Sequence, residues 1–458
     1  MPRQIRNRQA LNRLIAATLA TAALGLPAAA LAQTAKEQEL EARVAELEKL
    51  VKQMQAEKQA APAAAAAPAA APATATVAAA PAKPAAAPIQ GVSITPNAAP
   101  NTTFLLTGFV KADALWTNTS DGEIADNSSG RDFYIPGTIP IGADDEGTDM
   151  NAHVKQSRVN FGTDTILEGG DKLSTRFEID FFGSITGDQR VSNTYAPVVR
   201  HAYVQWRSWL VGQTWSNFMD VATLPEAVDF IGPTDGTTFV RQPQVRFTKG
   251  GFSASAENRE TTLTPYRGGA RITSDDGLMP DLTARYAWKG SWGHFAIAGL
   301  LRELAHETTG AAAMDDSTWS GAVSASGKFN FGKDDLRWMA LYGNLGRYVG
   351  LNFANDAVIN GNGELESIDG YAGFVAYRHF WTDRLRSTFS VAMQDYDNDA
   401  DLTGLSAAKS SWSWTANIFY SPLPKLDIGA EYRQANAERE GGDEGDLDRL
   451  QLTTKYSF

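Results

Sequence analysis

Residues 104–116 read Phe-Leu-Leu-Thr-Gly-Phe-Val-Lys-Ala-Asp-Ala-Leu-Trp, and this stretch decides the fold class. Its even-numbered positions are apolar or small, whereas Lys111 and Asp113 share the other face, which is the period-two pattern of a β-strand. The same alternation recurs over three further stretches, 173–181, 411–420 and 449–458. A soluble sandwich would bury the apolar face, but a membrane barrel turns that face toward lipid and the polar face toward a wet lumen. Alternation alone fits both architectures.

The connections between the alternating stretches distinguish these two architectures. Short turns fall at seven places, near 168–171, 208, 249–251, 290–291, 332–334, 382–383 and 422–424. Eight long segments rich in Gly, Asp, Asn, Ser and Thr alternate with the turns, near 118–152, 183–198, 217–240, 260–280, 303–317, 348–366, 397–410 and 438–446. So many long loops are unusual in a compact soluble domain. The pattern predicts an all-β fold, a transmembrane antiparallel barrel of about 16 strands over 103–458, with roughly 14 or 18 strands as alternatives.

The first 102 residues have a different composition. Residues 1–32 join four arginines to an apolar run that ends in Ala-Leu-Ala, which is typical of a cleaved secretory signal peptide rather than a transmembrane anchor. Within 33–59, apolar residues follow the spacing of a coiled-coil seam: Leu40, Val44, Leu47, Val51 and Met54. This seam predicts a short coiled-coil helix in two or three strands, with a lone solvated helix as the alternative. The Ala and Pro of 60–102 predict an extended linker.

Composition and motifs exclude several classes of function. No cysteine occurs among the 458 residues, which excludes disulfide staples, thiol catalysis and cysteine-ligated metal sites. The net charge of −12 becomes −16 when the four arginines of the signal peptide are removed, which argues against nucleic acid as a partner. The five histidines lack paired metal spacing, and neither a nucleophile elbow nor a phosphate-binding loop is present. We therefore expect no enzyme activity, no metal and no cofactor.

Aromatic side chains cluster near the predicted strand ends, where a barrel meets the two membrane interfaces. The set comprises Trp116, Trp206, Trp209, Trp215, Trp288, Trp292, Trp381, Tyr420, Tyr456 and Phe458. Trp and Tyr favour an interface because one part of the ring system is apolar and another forms a hydrogen bond. Strand-end aromatics also occur in soluble proteins, so this pattern supports the barrel without deciding it.

Two local patterns resemble bacterial outer-membrane proteins. The C-terminal strand ends in Phe458 and resembles the last strand of those proteins, whose terminal aromatic residue is read by the assembly machinery. Residues 201–206 (His-Ala-Tyr-Val-Gln-Trp) and 210–216 (Leu-Val-Gly-Gln-Thr-Trp-Ser) resemble the hairpin before the inward-folded third loop of sixteen-stranded general porins. The chain departs from those porins at Gln213, where they often carry an arginine of the constriction.

Signal peptide, coiled coil, Ala/Pro linker and barrel together resemble the DcaP-like trimeric outer-membrane porin family. The resemblance is most specific from Arg200 to about Arg246. It implies a homotrimer in the bacterial outer membrane, in contact with lipid and lipopolysaccharide, with the coiled coil in the periplasm. It also implies passage of small anionic solutes, including dicarboxylates, without any chemistry.

Strand parity places a set of basic side chains on the predicted lumen face. They are Lys111, Arg158, Arg176, Arg246, Arg285, Arg386 and Arg433. Rings of arginine or lysine in a pore favour anions, and the guanidinium fork suits carboxylates. The alternative for each of them is an ion pair inside the wall with Asp113, Glu178, Asp180 or Glu431. Arg378 is ambiguous, because both faces of 371–381 are partly apolar and a subunit interface is a second possible environment.

Acidic residues are concentrated in two predicted outer loops, 118–152 and 438–448, with net charges of −7 and −5. Exposed loop charges lie more than one Debye length, about 8 Å, from a constriction, so they do not set its selectivity. The loop 217–240 is much more apolar, which predicts that it folds back into the lumen and narrows the pore. Its acids Asp220, Glu226, Asp229 and Asp235 would then face the basic wall, with a subunit contact as the alternative for this loop.

These patterns predict an outer-membrane porin for small anionic solutes with an arginine-lined constriction. Two alternatives remain open. Acidic loops could feed a general cation-preferring porin, because they raise the local concentration of cations. A plugged barrel could instead serve as a structural tether of the outer membrane through its coiled coil and linker.

Overall fold

The computed structural model describes residues 101–143, 145–183, 192–310 and 313–458, together with the single positions Lys49 and Ala99. The predicted signal peptide, the coiled-coil seam and nearly all of the Ala/Pro linker lie outside the described residues. In the part of the chain that is described, no helix is long and apolar enough to cross a membrane.

Sixteen antiparallel strands close into a barrel within the described residues, which confirms the predicted fold. Their bounds are β1 Thr102–Thr119, β2 in two parts Gly147–His153 and Arg158–Ile166, β3 Lys172–Asp180, β4 Val198–Trp206, β5 Trp209–Trp215, β6 Arg241–Lys249, β7 Phe252–Glu257, β8 Asp281–Gly290, β9 Gly293–Glu307, β10 Asp315–Phe331, β11 Asp334–Gly343, β12 Gly370–Phe380, β13 Leu385–Tyr396, β14 Ala408–Leu423, β15 Leu426–Arg439 and β16 Glu444–Ser457. Both parts of β2 pair with β1. The barrel closes where β1 pairs with β16, from Phe109 opposite Ser457 to Thr119 opposite Leu447.

Seven short turns alternate with eight connections, L1 to L8, around the described barrel, and all of these connections except L8 are longer than the turns. They are L1 (120–146), L2 (181–197), L3 (216–240), L4 (258–280), L5 (308–314), L6 (344–369), L7 (397–407) and L8 (440–443). They carry short 3-10 helices at Ser129–Arg131, Pro136–Thr138, Val221–Thr223, Thr234–Gly236 and Gly346–Tyr348, and an α-helix at Ala400–Thr403. L4 and L6 share a small sheet formed by Thr261–Thr264, Ile272–Ser274, Ala357–Ile359 and Leu365–Ser367.

The two faces of the strands differ as a membrane barrel requires, apolar toward lipid and polar toward the lumen. In β1, Leu106, Val110 and Trp116 are exposed, whereas Lys111 and Asp113 are buried. Nine of the ten aromatic residues expected at the interfaces are exposed on the outer surface. The expectation was wrong for Trp215. Because β5 leads directly into L3, the Trp215 ring packs instead against Phe239 of that loop, with ring centroids 4.7 Å apart.

The inner faces of β9 to β13 carry apolar residues that are covered by the chain's own loops. Leu300, Leu341 and Phe374 of the wall belong to one buried cluster with Phe218 of L3 and Tyr348 of L6. In this cluster the apolar inner face of 371–381 packs under L3 and L6. A subunit interface at the outer face of this strand stays a prediction.

The outer face of β12 provides a test of its lipid exposure. Val375 lies near the middle of this strand and is exposed. We expect Val375→Arg to lower the free energy of unfolding by about 2–4 kcal/mol, the cost of arginine at the centre of a bilayer. Urea unfolding in lipid vesicles, followed by tryptophan fluorescence, measures the change, and Val375→Leu serves as the apolar control. Equal stability of the two variants would contradict a lipid-facing position.

Candidate functional site

L3 leaves β5 and runs along the inside of the wall instead of outward. Its apolar residues Phe218, Met219 and Ile231 are at most 3% exposed. Burial of such side chains stabilises the inward position, because each would otherwise present its apolar surface to water. The loop touches β12 so closely that a Cβ on Gly236 would collide with the Gly373 carbonyl.

The first anchor of L3 is Asp220. Its carboxylate lies 2.8 Å from His294 Nε2 on β9 and accepts a hydrogen bond from the Ser326 hydroxyl on β10 at 2.9 Å. Nearby, Arg285 donates to the Met219 carbonyl at 2.8 Å. Burial alone would raise the pKa of Asp220, but the hydrogen bonds with His294 and Ser326 and the charges of His294 and Arg285 together outweigh it, and the pKa falls below its ordinary value. The carboxylate therefore stays charged where the loop enters the lumen.

The second anchor is Glu226, midway along L3. Arg386 of β13 donates to both carboxylate oxygens, at 2.7 Å and 2.6 Å, in the bidentate geometry that suits a guanidinium. Arg378 of β12 lies 3.6 Å away and shares its charge with Asp335. The side chain of Arg378, ambiguous in sequence, thus faces the lumen.

The third anchor is formed by wall residues that hold the backbone of L3. Glu431 of β15 accepts hydrogen bonds from the Val228 and Asp229 amides, at 2.9 Å and 3.4 Å. Lys111 of β1 donates to the Val228 carbonyl at 2.7 Å and pairs with Asp113 at 2.9 Å. These contacts join residues that are far apart in sequence, so strand parity does not predict them.

The fourth anchor is Asp235, which is fully buried near the far end of L3. It accepts hydrogen bonds from the hydroxyls of Tyr134, Ser411 and Ser413. Burial raises the pKa of Asp235, and the hydroxyl donors oppose that shift. Asp229 behaves similarly as an acceptor, since it binds the Tyr134 amide at 2.9 Å and two amides of its own loop.

The seven predicted lumen-facing basic residues divide into two groups. Lys111, Arg285, Arg386 and Arg433 contact L3 and hold it to the wall. Lys111 and Arg433 are only 4% and 2% exposed, so little of either side chain is accessible. The other three, Arg158, Arg176 and Arg246, lie on β2, β3 and β6, and their hydrogen bonds and ion pairs among the described residues are with the wall rather than with L3.

The wall from β2 to β6 carries a cluster of guanidinium groups. Arg158 and Arg200 both lie 3.0 Å from the Asp180 carboxylate, and Arg200 lies 2.9 Å from Glu178. Both guanidinium groups also sit over the Phe230 ring of L3, at 6.0 Å and 5.3 Å. Phe230 of L3 therefore packs directly against this cluster. Asp180 and Glu178 are two of the four acids expected as ion-pair partners within the wall.

Arg241 extends this cluster at the start of β6. Its guanidinium lies 5.0 Å from the Trp215 ring and 6.0 Å from the Phe239 ring. Its Nη1 is buried without a hydrogen-bond partner among the described residues. Arg246 on the same strand donates to the Gln244 side chain at 2.8 Å and to the Trp215 carbonyl. In the described part of the chain, neither arginine has a carboxylate within 4.0 Å.

Sequence reasoning missed Arg200 and Arg241. A bulge between Glu178 and Ile179 shifts the pairing of β3 with β4, so Arg200 and its neighbour His201 both reach Glu178. Parity counting fails at such a bulge, because two residues on one strand then oppose one residue on the other. Gln213, where general porins often carry arginine, donates instead to the Val199 carbonyl at 2.9 Å.

L1 and L6 also fold into the barrel mouth, which the sequence analysis did not predict. Tyr134 of L1 and Tyr348 of L6 are completely buried. Asp132, expected among exposed rim acids, is buried and pairs with Lys155 at 2.7 Å. The expectation failed because 130–139 descends toward L3 instead of staying outside. No group of three His, Cys, Asp or Glu that could hold a metal ion occurs among the described residues.

Comparison with known proteins adds a family and a fold. A family model described as DcaP outer membrane protein matches residues 95–458. The chain is similar to the crystal structure of the outer membrane channel DcaP of Acinetobacter baumannii, with a TM-score of 0.63 and 24% identity over 78% of this chain and 98% of that one. A search of the curated proteins returns no match.

Other solved structures are similar at a lower level. Salmonella typhi OmpF, solved in complex with daunomycin, has a TM-score of 0.49 and 10% identity over 78% of this chain and 98% of that one. A loop-deletion mutant of OmpT from Vibrio cholerae has a TM-score of 0.48 and 13% identity over 78% of this chain and 100% of that one.

Proposed function

This chain belongs to the DcaP outer membrane protein family, and we propose from that premise that its barrel is a channel for small anionic solutes, dicarboxylates among them. The solutes pass between L3 and the wall formed by β2 to β6. The protein acts without catalysis and functions as a homotrimer. After cleavage of the signal peptide (1–32), its coiled coil (33–59) lies in the periplasm and is joined to the barrel by the linker (60–102).

The observation that carries this proposal is the charge of the wall formed by β2 to β6. Five arginines lie there, and three of them, Arg158, Arg176 and Arg200, pair with Asp164, Glu178 and Asp180. Arg241 and Arg246 have no carboxylate within 4.0 Å among the described residues. Unpaired arginines in a pore lower the energy of a passing anion and raise that of a cation.

The position of the L3 acids supports the same direction of selectivity. Three of these acids already form hydrogen bonds: Asp220 with His294, Glu226 with Arg386, and Asp235 with hydroxyl groups of the wall. A carboxylate that is already bound by donors offers a weaker field to a passing cation than a free one. The excess positive charge on the opposite wall is not neutralised in this way.

Flux of isosteric solutes tests the proposal. Purified protein is reconstituted into vesicles, and entry of succinate is compared with entry of neutral succinamide and of cationic 1,4-diaminobutane. We expect succinate to enter fastest, by about fivefold or more over the neutral isostere, because a unit charge near an unpaired arginine gains about 1–3 kcal/mol. Fastest entry of 1,4-diaminobutane would contradict the proposal and favour a general cation-preferring porin.

A second candidate function has an observation of its own. L1, L3 and L6 fill the lumen beside β9 to β13 with an apolar core, which is the arrangement expected of a plugged barrel. Such a barrel would tether the outer membrane and conduct no ions. Absence of flux for all three solutes, from protein shown to be folded, would favour this structural role.

A further inference from the structure

Tyr134 of L1 contacts three residues of L3, which are Asp229, Thr234 and Asp235. The Tyr134 amide donates to the Asp229 carboxylate at 2.9 Å, and the Tyr134 hydroxyl donates to Asp235 at 2.8 Å. The Tyr134 carbonyl accepts a hydrogen bond from the Thr234 hydroxyl at 3.2 Å. All three contacts are buried, so water does not compete for them.

The wall holds Tyr134 from the opposite side. The guanidinium of Arg433 on β15 lies 4.3 Å from the centre of the Tyr134 ring, and it also donates to the Gly232 carbonyl of L3 at 2.7 Å. Arg449 of β16 donates to the Gly130 carbonyl at 2.6 Å, which fixes L1 just before the tyrosine. Tyr134 is therefore fixed to the barrel on one side and to L3 on the other.

Phe133, the neighbour of Tyr134 in sequence, contacts the part of L3 that packs against the arginine cluster. Phe133 packs against Phe230 with ring centroids 5.3 Å apart, and Phe230 is the ring over which Arg158 and Arg200 lie. A displacement of L1 therefore shifts Phe230 relative to the arginine cluster.

We propose that Tyr134 of L1 is a positioning residue that fixes L3 and thereby sets the width of the passage. The inference rests on the proposed channel function and adds a second loop to its constriction. The hydroxyl of Tyr134 holds the far end of L3 through Asp235, and its backbone holds the middle of L3 through Asp229. Without the hydroxyl, residues 233–237 move relative to the arginine cluster, and the channel acquires additional conductance levels.

Single-channel recording of Tyr134→Phe in planar bilayers tests this inference. The variant keeps the ring and both backbone contacts and removes only the bond to Asp235. We expect the ratio of time in subconductance levels to time in the main level to rise about tenfold or more, as the loss of one buried hydrogen bond to a charged acceptor predicts. Tyr342→Phe, which changes an exposed tyrosine on the outer face of β11, is the matched control and should leave the ratio unchanged.

A second variant keeps the test independent of folding. Thr234→Val removes the bond to the Tyr134 carbonyl and should raise the same ratio, by a smaller factor because that bond is neutral. A lower urea midpoint of Tyr134→Phe with dwell times equal to those of Tyr342→Phe would show a purely structural role and overturn the inference.

The recordings use symmetric KCl, so the dwell times do not depend on which ion carries the current. Selectivity is measured separately, as the reversal potential under a KCl gradient. If the wild type proved cation-selective and Tyr134→Phe still showed the expected subconductance levels, the result would contradict the proposed anion channel and support the positioning role. A folded wild type without any conductance would overturn both.

Discussion

Replacing both Arg241 and Arg246 with glutamine lowers the anion-to-cation permeability ratio by about fivefold or more, because it removes two unit charges that no carboxylate neutralises. Arg241 stacks on Trp215 and Phe239, and Arg246 is held by Gln244 and the Trp215 carbonyl. Glutamine keeps a polar side chain of moderate length at each position. The loss therefore reports charge more than packing. Reversal potentials under a KCl gradient measure the permeability ratio of wild type and variant.

A matched pair of substitutions separates local from total charge. Arg384→Gln together with Lys425→Gln removes the same number of charges from exposed short turns. Because charges in those turns are screened within about one Debye length, this control should keep the wild-type ratio. Equal reversal potentials for both double variants would contradict a role for Arg241 and Arg246 in selectivity.

Removal of Arg302 has the largest expected effect on stability. This side chain is completely buried on β9, where it donates to Asp356 of L6 at 2.6 Å and to the Glu260 carbonyl of L4 at 2.6 Å and lies 3.3 Å from Asp281. Arg302→Ala leaves the buried Asp356 carboxylate without its counter-charge, whereas Asp281 keeps Arg347 at 3.0 Å. We expect a loss of about 3–5 kcal/mol in the free energy of unfolding, as for other buried pairs that lose one partner. Urea unfolding in vesicles measures this loss.

The same variant should release L6 locally. Amides of 344–356, which the Arg302–Asp356 pair holds against the wall, should exchange with deuterium faster than in wild type. Arg384→Ala, on an exposed short turn, is the control and should change neither stability nor exchange. The double variant Arg302→Met with Asp356→Asn should recover part of the lost stability, because it removes charge from both sides of the pair. An Arg302→Ala variant as stable as the control would contradict a structural role for this network.

The barrel could be predicted from sequence because each spanning strand carries its own signal. A period-two stretch such as 104–116 specifies both strand and facing, and the alternation of short turns with long loops gives the strand count. The inward position of L3 was also predictable in kind, since Phe218, Met219 and Ile231 are too apolar for an exposed loop. These signals are local, and a single sequence carries them.

The arrangement of the candidate site depends on contacts that no local pattern encodes. Parity placed Lys111 and Arg433 on the lumen side, but only the packed loop buries them beneath L3. Arg200 escaped notice because a bulge broke the parity of β4. The inward course of L1 was missed because Phe133 and Tyr134 stand among many acidic residues, although two adjacent aromatics in a polar loop were the available signal.

The reversal potential of the wild-type channel under a KCl gradient is the most direct measurement of whether its passage selects anions. The reversal potential of the reconstituted protein should have the same sign as the equilibrium potential of chloride. Added succinate should reduce the chloride current. A potential whose sign is set by potassium, unaffected by succinate, would contradict an arginine-selected passage and favour a cation-preferring porin.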